Sequence, residues 1–141
     1  MTECRRIFVD TAPFIYLLEH NNQYYDRLEK AFGQWHSGHV TVITSTITIA
    51  EYCTYPFRVG RMDLIEKFDQ FLIAFGVRVI GVDTEVAKKA AQIRGQYAGF
   101  KAMDAIQLSV ANLYNCDCFL TNDKQLCQYN DLNCVLVDKM E

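Results

Sequence analysis

The stretch Phe100–Leu126, FKAMDAIQLSVANLYNCDCFLTNDKQL, decides the fold. Met103, Ile106, Val110, Leu113 and Tyr114 recur at helical spacing and predict a helix with one inward face. Cys118 to Thr121 predicts a short strand, and Asp123 to Tyr129 a second, short helix. Both joints carry acids, Asp104 in the first helical turn and Asp123 just past the strand.

Outward from this stretch the same pattern recurs. Ile7-Phe8-Val9 is an apolar run ending in Asp10, and Pro13 suits the first turn of a following helix that carries Phe14, Ile15, Leu17 and Leu18. A helix from about Gln23 to Trp35 ends at Gly38, and Val40 to Ile43, rich in β-branched residues, reads as the second strand. Ser45 to Tyr55 predicts a helix closed by Pro56, with Glu51 interrupting the apolar TITIAEYC. Met62 to Phe75 is helical, Val77 to Val82 a third strand, Asp83 starts a helix that runs to Tyr97, and Cys134 to Val137 is a final strand. Strands alternating with helices imply parallel crossovers, hence an α/β fold: a three-layer α/β/α sandwich with a central parallel sheet. No linker, repeat or low-complexity tract interrupts residues 1–141, which read as one domain.

Composition narrows the classes. The chain is 50% apolar and 22% charged, which suits a folded domain and excludes a disordered one. A formal net charge of −3 argues against a broad basic face for nucleic acid, although a metal pocket that concentrates carboxylates can reverse its local sign. No segment approaches the roughly 18 uninterrupted apolar residues of a membrane span, and MTECRRIFVD lacks the apolar region of a secretory signal. A cytoplasmic protein with no membrane association is expected. In that setting the six cysteines read as free, buried thiols, and the CxC of Cys116 and Cys118, without a CxxC or a nearby histidine, does not read as a zinc site.

Four acids stand out as a set. In an open parallel sheet ligands bind beyond the carboxyl ends of the strands, and Asp10, Glu51, Asp104 and Asp123 can all face that end. Taken singly, each Asp is explained as a helix-start residue. Together they repel, by about 4 kcal/mol for a pair about 4 Å apart at an effective dielectric of about 20. Divalent metal is the usual resolution, since Mg²⁺ and Mn²⁺ prefer oxygen ligands and can activate water and neutralise charge on a phosphodiester. His20, His36 and His39 fall near loops or helix ends and read as surface residues.

The blocks VDTAPFIYLL, STITIAEY and MDAIQLSVANLYNCDCFLTNDKQL resemble, in order and across nearly the whole chain, the PIN-domain family of metal-dependent ribonucleases. The resemblance is closest to the compact members that act as toxins in VapBC-type toxin–antitoxin pairs. It implies that Asp10, Glu51, Asp104 and Asp123 are catalytic and bind Mg²⁺ or Mn²⁺, with Ser45, Thr48 and Thr121 as supporting polar groups. It also implies an RNA substrate, a cognate antitoxin protein and a homodimer. Arg94, Lys101 and Lys124 flank the acid blocks and are candidates for phosphate contacts. One departure is Ala12, where many members have Asn or Ser two residues after the first acid. Alternatives are a PIN nuclease working in RNA processing and an inactive PIN-like module that binds RNA or protein. A haloacid-dehalogenase-type phosphatase is disfavoured, because Ala12 stands where it would need a second Asp.

Overall fold

The structure, a computed structural model, describes residues 3–140. Five short strands, β1 (Arg6–Val9), β2 (Thr41–Ser45), β3 (Arg78–Ile80), β4 (Cys118–Thr121) and β5 (Asn133–Leu136), form one sheet in the order β3-β2-β1-β4-β5. Every pairing is parallel. Six helices make the crossovers: α1 (Thr11–Leu18), α2 (Tyr25–Ser37), α3 (Thr46–Val59), α4 (Met62–Ala74), α5 (Thr84–Gln96) and α6 (Ala102–Leu113). Two 3₁₀ turns, Lys124–Gln128 and Val137–Lys139, complete the described chain.

Alternation along the strands builds the layers. Ile7 and Val9 of β1, Val42 of β2 and Cys118 and Leu120 of β4 enter one apolar cluster with Phe14, Leu28, Phe32, Trp35 and Phe68. Phe8, Ile43, Ile80 and Phe119 point to the opposite face and pack with Val86, Ile93, Ala105 and Leu108 of α5 and α6. Successive strand residues face opposite ways, so a sheet whose two faces are both apolar must be covered by helices on both sides. Phe8 and Phe119, paired in register across β1 and β4, stack with centroids 5.2 Å apart at the centre of the second face.

Local differences from the sequence expectation have physical reasons. Helix α3 passes through Pro56 and ends at Val59, with Gly60 in the left-handed conformation (φ 71°) as its cap, instead of closing before the proline. Pro56 is buried, and its carbonyl accepts the Arg61 N–H at 2.8 Å, so packing and the glycine cap offset the missing donor. Strand β3 keeps only Arg78–Ile80 of the expected Val77–Val82, being an edge strand paired on one side alone. The short helix after Asp123 is a 3₁₀ turn.

The cysteine expectation is corrected. Cys4 pairs with Cys118 and Cys127 with Cys134 as disulfides, and Cys53 and Cys116 are the buried free thiols. The first bridge follows from parallel pairing of β1 with β4, which brings residues 114 apart in sequence to a Cα–Cα distance of 5.9 Å. No helix among the described residues is long and apolar enough to cross a membrane.

Candidate active site

The chain runs from β1 outward to β2 and β3, then returns to β4 on the other side of β1. The carboxyl ends of β1 and β4 therefore border the crevice where strand order reverses, and this is where open α/β sheets place ligands. Asp10 follows β1 directly, and its N–H donates to the Leu120 carbonyl at 2.9 Å, which continues the ladder past the strand. It also caps α1, its Oδ1 accepting the Thr11 N–H at 2.9 Å. The cap does not exhaust the carboxylate. Its Oδ2 accepts the hydroxyl of Thr121, the last residue of β4, at 2.8 Å.

Thr121 joins two acids, since the same Oγ1 that donates to Asp10 accepts the Asp123 N–H at 3.1 Å. Asp123 is exposed and caps the 3₁₀ turn through Gln125 N at 3.0 Å. Glu51, one turn into α3, is also exposed and accepts the Thr11 hydroxyl at 2.6 Å. Its remaining surroundings form a small cleft with Ile15, Glu19, Tyr52, Tyr55 and Leu64. Asp104 lies in the first turn of α6, half-buried, and takes no hydrogen bond from the described residues.

Electrostatics tie the four together. Burial, then the charges of Asp10, Asp123 and Glu51, push the Asp104 carboxyl up to about 6, against the pull of Lys101. Burial also raises Asp10, with Glu51 adding to the rise, while the hydrogen bonds from Thr121, Thr11 and Gln107 act the other way. Among the described residues none of the four is in an ion pair, and the salt bridge is Arg61–Asp63, on the surface. A donor set of carboxylate oxygens with net negative charge, lacking histidine and thiolate, fits a hard divalent cation such as Mg²⁺. Among the described residues the group of three potential ligand side chains whose atoms lie within 4.8 Å of one another is Cys4, Asp117 and Cys118, not a trio of these acids. The acids are thus more loosely spaced than a closed ligand trio, which suits an ion that keeps waters and takes one or two carboxylates. The Cys4–Cys118 sulfurs are in a disulfide and cannot act as thiolate ligands.

The supporting residues form one buried network. Ser45, the last residue of β2, caps α3 by accepting the Ile47 N–H and donates to Gln107 Oε1. Thr48 lies 2.7 Å from the Thr44 hydroxyl and accepts the Gln107 amide at 2.8 Å. Sequence reading had passed over Gln107. It lies three residues after Asp104 on the same face of α6, fully buried, and its Nε2 reaches Asp10 Oδ1 at 3.3 Å. The signal available was a polar side chain on the inward stripe of an apolar helix. Of the candidate phosphate contacts, Arg94 donates through Nε to the Phe100 carbonyl at 3.3 Å, while Lys101 and Lys124 are exposed beside Asp104 and Asp123 in sequence. His20 stacks on Tyr25 and His36 packs edge-on against Phe75.

The PIN domain family profile matches residues 7–132. A search of curated proteins found no sequence match. Among solved structures, the chain is similar to one from DNA-bound VapBC of Salmonella typhimurium, with a TM-score of 0.76, 17% identity and coverage of 94% of this chain and 98% of that one. It is similar to one from VapBC2 of Rickettsia felis bound to a promoter DNA fragment, with a TM-score of 0.72, 18% identity and coverage of 93% and 98%. It is also similar to the Mycobacterium tuberculosis VapC20, described as a sarcin-ricin-loop-cleaving toxin, with a TM-score of 0.68, 18% identity and coverage of 88% and 95%. At these identities the structural likeness speaks for the fold, and the family profile spans β1 through the turn before β5: the chain belongs to the PIN domain family.

Proposed function

We propose that the chain is a divalent-metal-dependent endoribonuclease, Mg²⁺ or Mn²⁺ being the cofactor, and the toxin of a type II toxin–antitoxin pair. The observation that carries this reading is uncompensated negative charge: four carboxylates from four segments, none ion-paired among the described residues, with burial and then the charges of Asp10, Asp123 and Glu51 raising Asp104 to about 6. A bound divalent cation supplies neutralisation of the scissile phosphate and a water acidic enough to attack near neutral pH. Asp10 and Asp104 are the direct ligands in this reading, and Glu51 and Asp123 complete the coordination or orient the water. Thr121 holds one oxygen of Asp10 and Thr11 holds Glu51, so both acids are oriented before any ligand arrives. Lys101 and Lys124, with the part of Arg94 not committed to Phe100, receive the flanking phosphates.

An RNA substrate is supported by family membership and by the description of VapC20 as a sarcin-ricin-loop-cleaving toxin. An antitoxin partner is supported by the similar chains that come from VapBC complexes, and by an open apolar cleft between α1, α2 and α4 walled by Leu17, Leu18, Phe32, Phe71 and Phe75. A homodimer accompanies this reading. The test is cleavage of a mixed cellular RNA pool by purified, antitoxin-free protein with Mg²⁺, with Mn²⁺ and with EDTA, beside an Asp104→Asn variant. Cutting that needs metal and vanishes in the variant is expected. Folded protein that cuts no better than the variant with either metal would leave a binding module as the better reading.

A further inference from the structure

We infer that Gln107 is a positioning residue: its side-chain amide, locked in one orientation by Ser45, presents an N–H to Asp10 and fixes that carboxylate for metal. The inference rests on the metal-dependent reading above. Three buried hydrogen bonds converge on the amide, from Ser45 to Oε1 and from Nε2 to Asp10 and Thr48. They reach across 62, 97 and 59 residues of sequence, so α6 is tied at this one side chain to β1, β2 and α3.

Proton counting settles which way the amide faces. Thr44 Oγ1 donates to the Val9 carbonyl at 2.8 Å, and a carbonyl has no proton to return. The proton between Thr44 and Thr48, 2.7 Å apart, is therefore the one on Thr48. Thr48 can then only accept from Gln107. Ser45 Oγ already accepts the Ile47 N–H, and its own proton goes to Gln107 Oε1. An amide turned over would set Oε1 against the Asp10 carboxylate and would leave the Ser45 proton facing an NH₂. No buried side-chain nitrogen or oxygen among the described residues lacks a partner, so nothing in this network is free to relax.

The consequence reaches beyond packing. Gln107 is carried one turn from Asp104 on the same helix, so one side chain links an acid of α6 to the acid that follows β1. Outer partners that orient a metal ligand typically matter by about 10–100-fold in metal affinity.

The test titrates Mn²⁺ into metal-free protein, reading free Mn²⁺ by its paramagnetic resonance signal, for the unsubstituted chain, Gln107→Met and Ser45→Ala, with thermal melting in EDTA alongside. Gln107→Met should bind Mn²⁺ more weakly by about 10–100-fold while still melting cooperatively. Ser45→Ala keeps the amide and removes its lock, so it should weaken binding by a smaller factor; it decides the matter alone if Gln107→Met does not fold. Lower melting temperatures with unchanged Mn²⁺ affinity would make Gln107 a packing strut and overturn the inference. Unsubstituted protein that takes up no Mn²⁺ would overturn the metal reading, and this inference with it.

Discussion

Strand β4 has an aspartate at each end, Asp117 entering it and Asp123 leaving it, and the two lie in opposite electrostatic settings. Asp117 accepts the backbone N–H groups of Arg5 and Arg6 at 3.0–3.2 Å and clamps the start of β1 onto β4 beside the Cys4–Cys118 disulfide. Its charge is met by donors of the fold itself. Asp123 shares its end of the sheet with Asp10, Glu51 and Asp104; the hydrogen-bond donors there, side chains of Thr11, Thr121 and Gln107 and the N–H groups of Thr11 and Gln125, are neutral, and Lys101 alone opposes the mutual repulsion at Asp104. An acid at a strand end is structural when backbone donors take both of its oxygens, as at Asp117. It becomes a candidate for chemistry when other acids are its neighbours.

The largest effect that would break this contrast is on cleavage. Asp10→Asn and Asp104→Asn should each lower RNA cleavage by more than about 100-fold, since even outer partners of metal ligands reach that range. Asp117→Asn should leave the cleavage rate unchanged. Equal losses at the two ends would erase the distinction. Next comes Thr121→Val, which removes one hydrogen bond to Asp10 and the acceptor for Asp123 N–H. A fall of about 10–100-fold in metal affinity is expected, read by Mn²⁺ titration.

Stability should respond in the reverse pattern. Asp117→Ala removes a clamp and should lower the melting temperature by a few degrees, on the order of 2–4 °C, measured by calorimetry. The smallest effect, and the sharpest in sign, belongs to Asp104. Its carboxyl is raised from the ordinary 3.8 to about 6, so between those values the folded state binds more protons than the unfolded one. Stability from this group is thus fully present below about pH 4 and is lost as pH rises through about 6. In EDTA, Asp104→Asn should melt above the unsubstituted protein at pH 7.5, and the gap should narrow as pH falls through about 6 and close below about pH 4.

The acids were legible because they break local patterns: Asp10 and Asp123 follow apolar runs, Asp104 opens a helix and Glu51 interrupts an apolar stretch. Strands alternating with helices foretold a covered parallel sheet, and the apolar runs Ile7-Phe8-Val9 and Cys118-Phe119-Leu120 do face both layers. Gln107 was missed for a physical reason: inside a helical stripe it is spaced as a core residue, and its partners lie 59 to 97 residues away. The disulfides were missed similarly, because Cys4 meets Cys118 only once β1 has paired with β4. Helix α3 outran its proline because a cap four residues on, Gly60, does not show in local propensity at Pro56.

In the proposed function, the uncompensated charge at the carboxyl end of the sheet holds a divalent cation. The most direct measurement is an anomalous difference map from crystals of the protein soaked in Mn²⁺. A peak is expected among Asp10, Glu51, Asp104 and Asp123, bonded to carboxylate oxygens of Asp10 and Asp104. A map without density there, or with its peak beside Asp117 at the other end of β4, would contradict it.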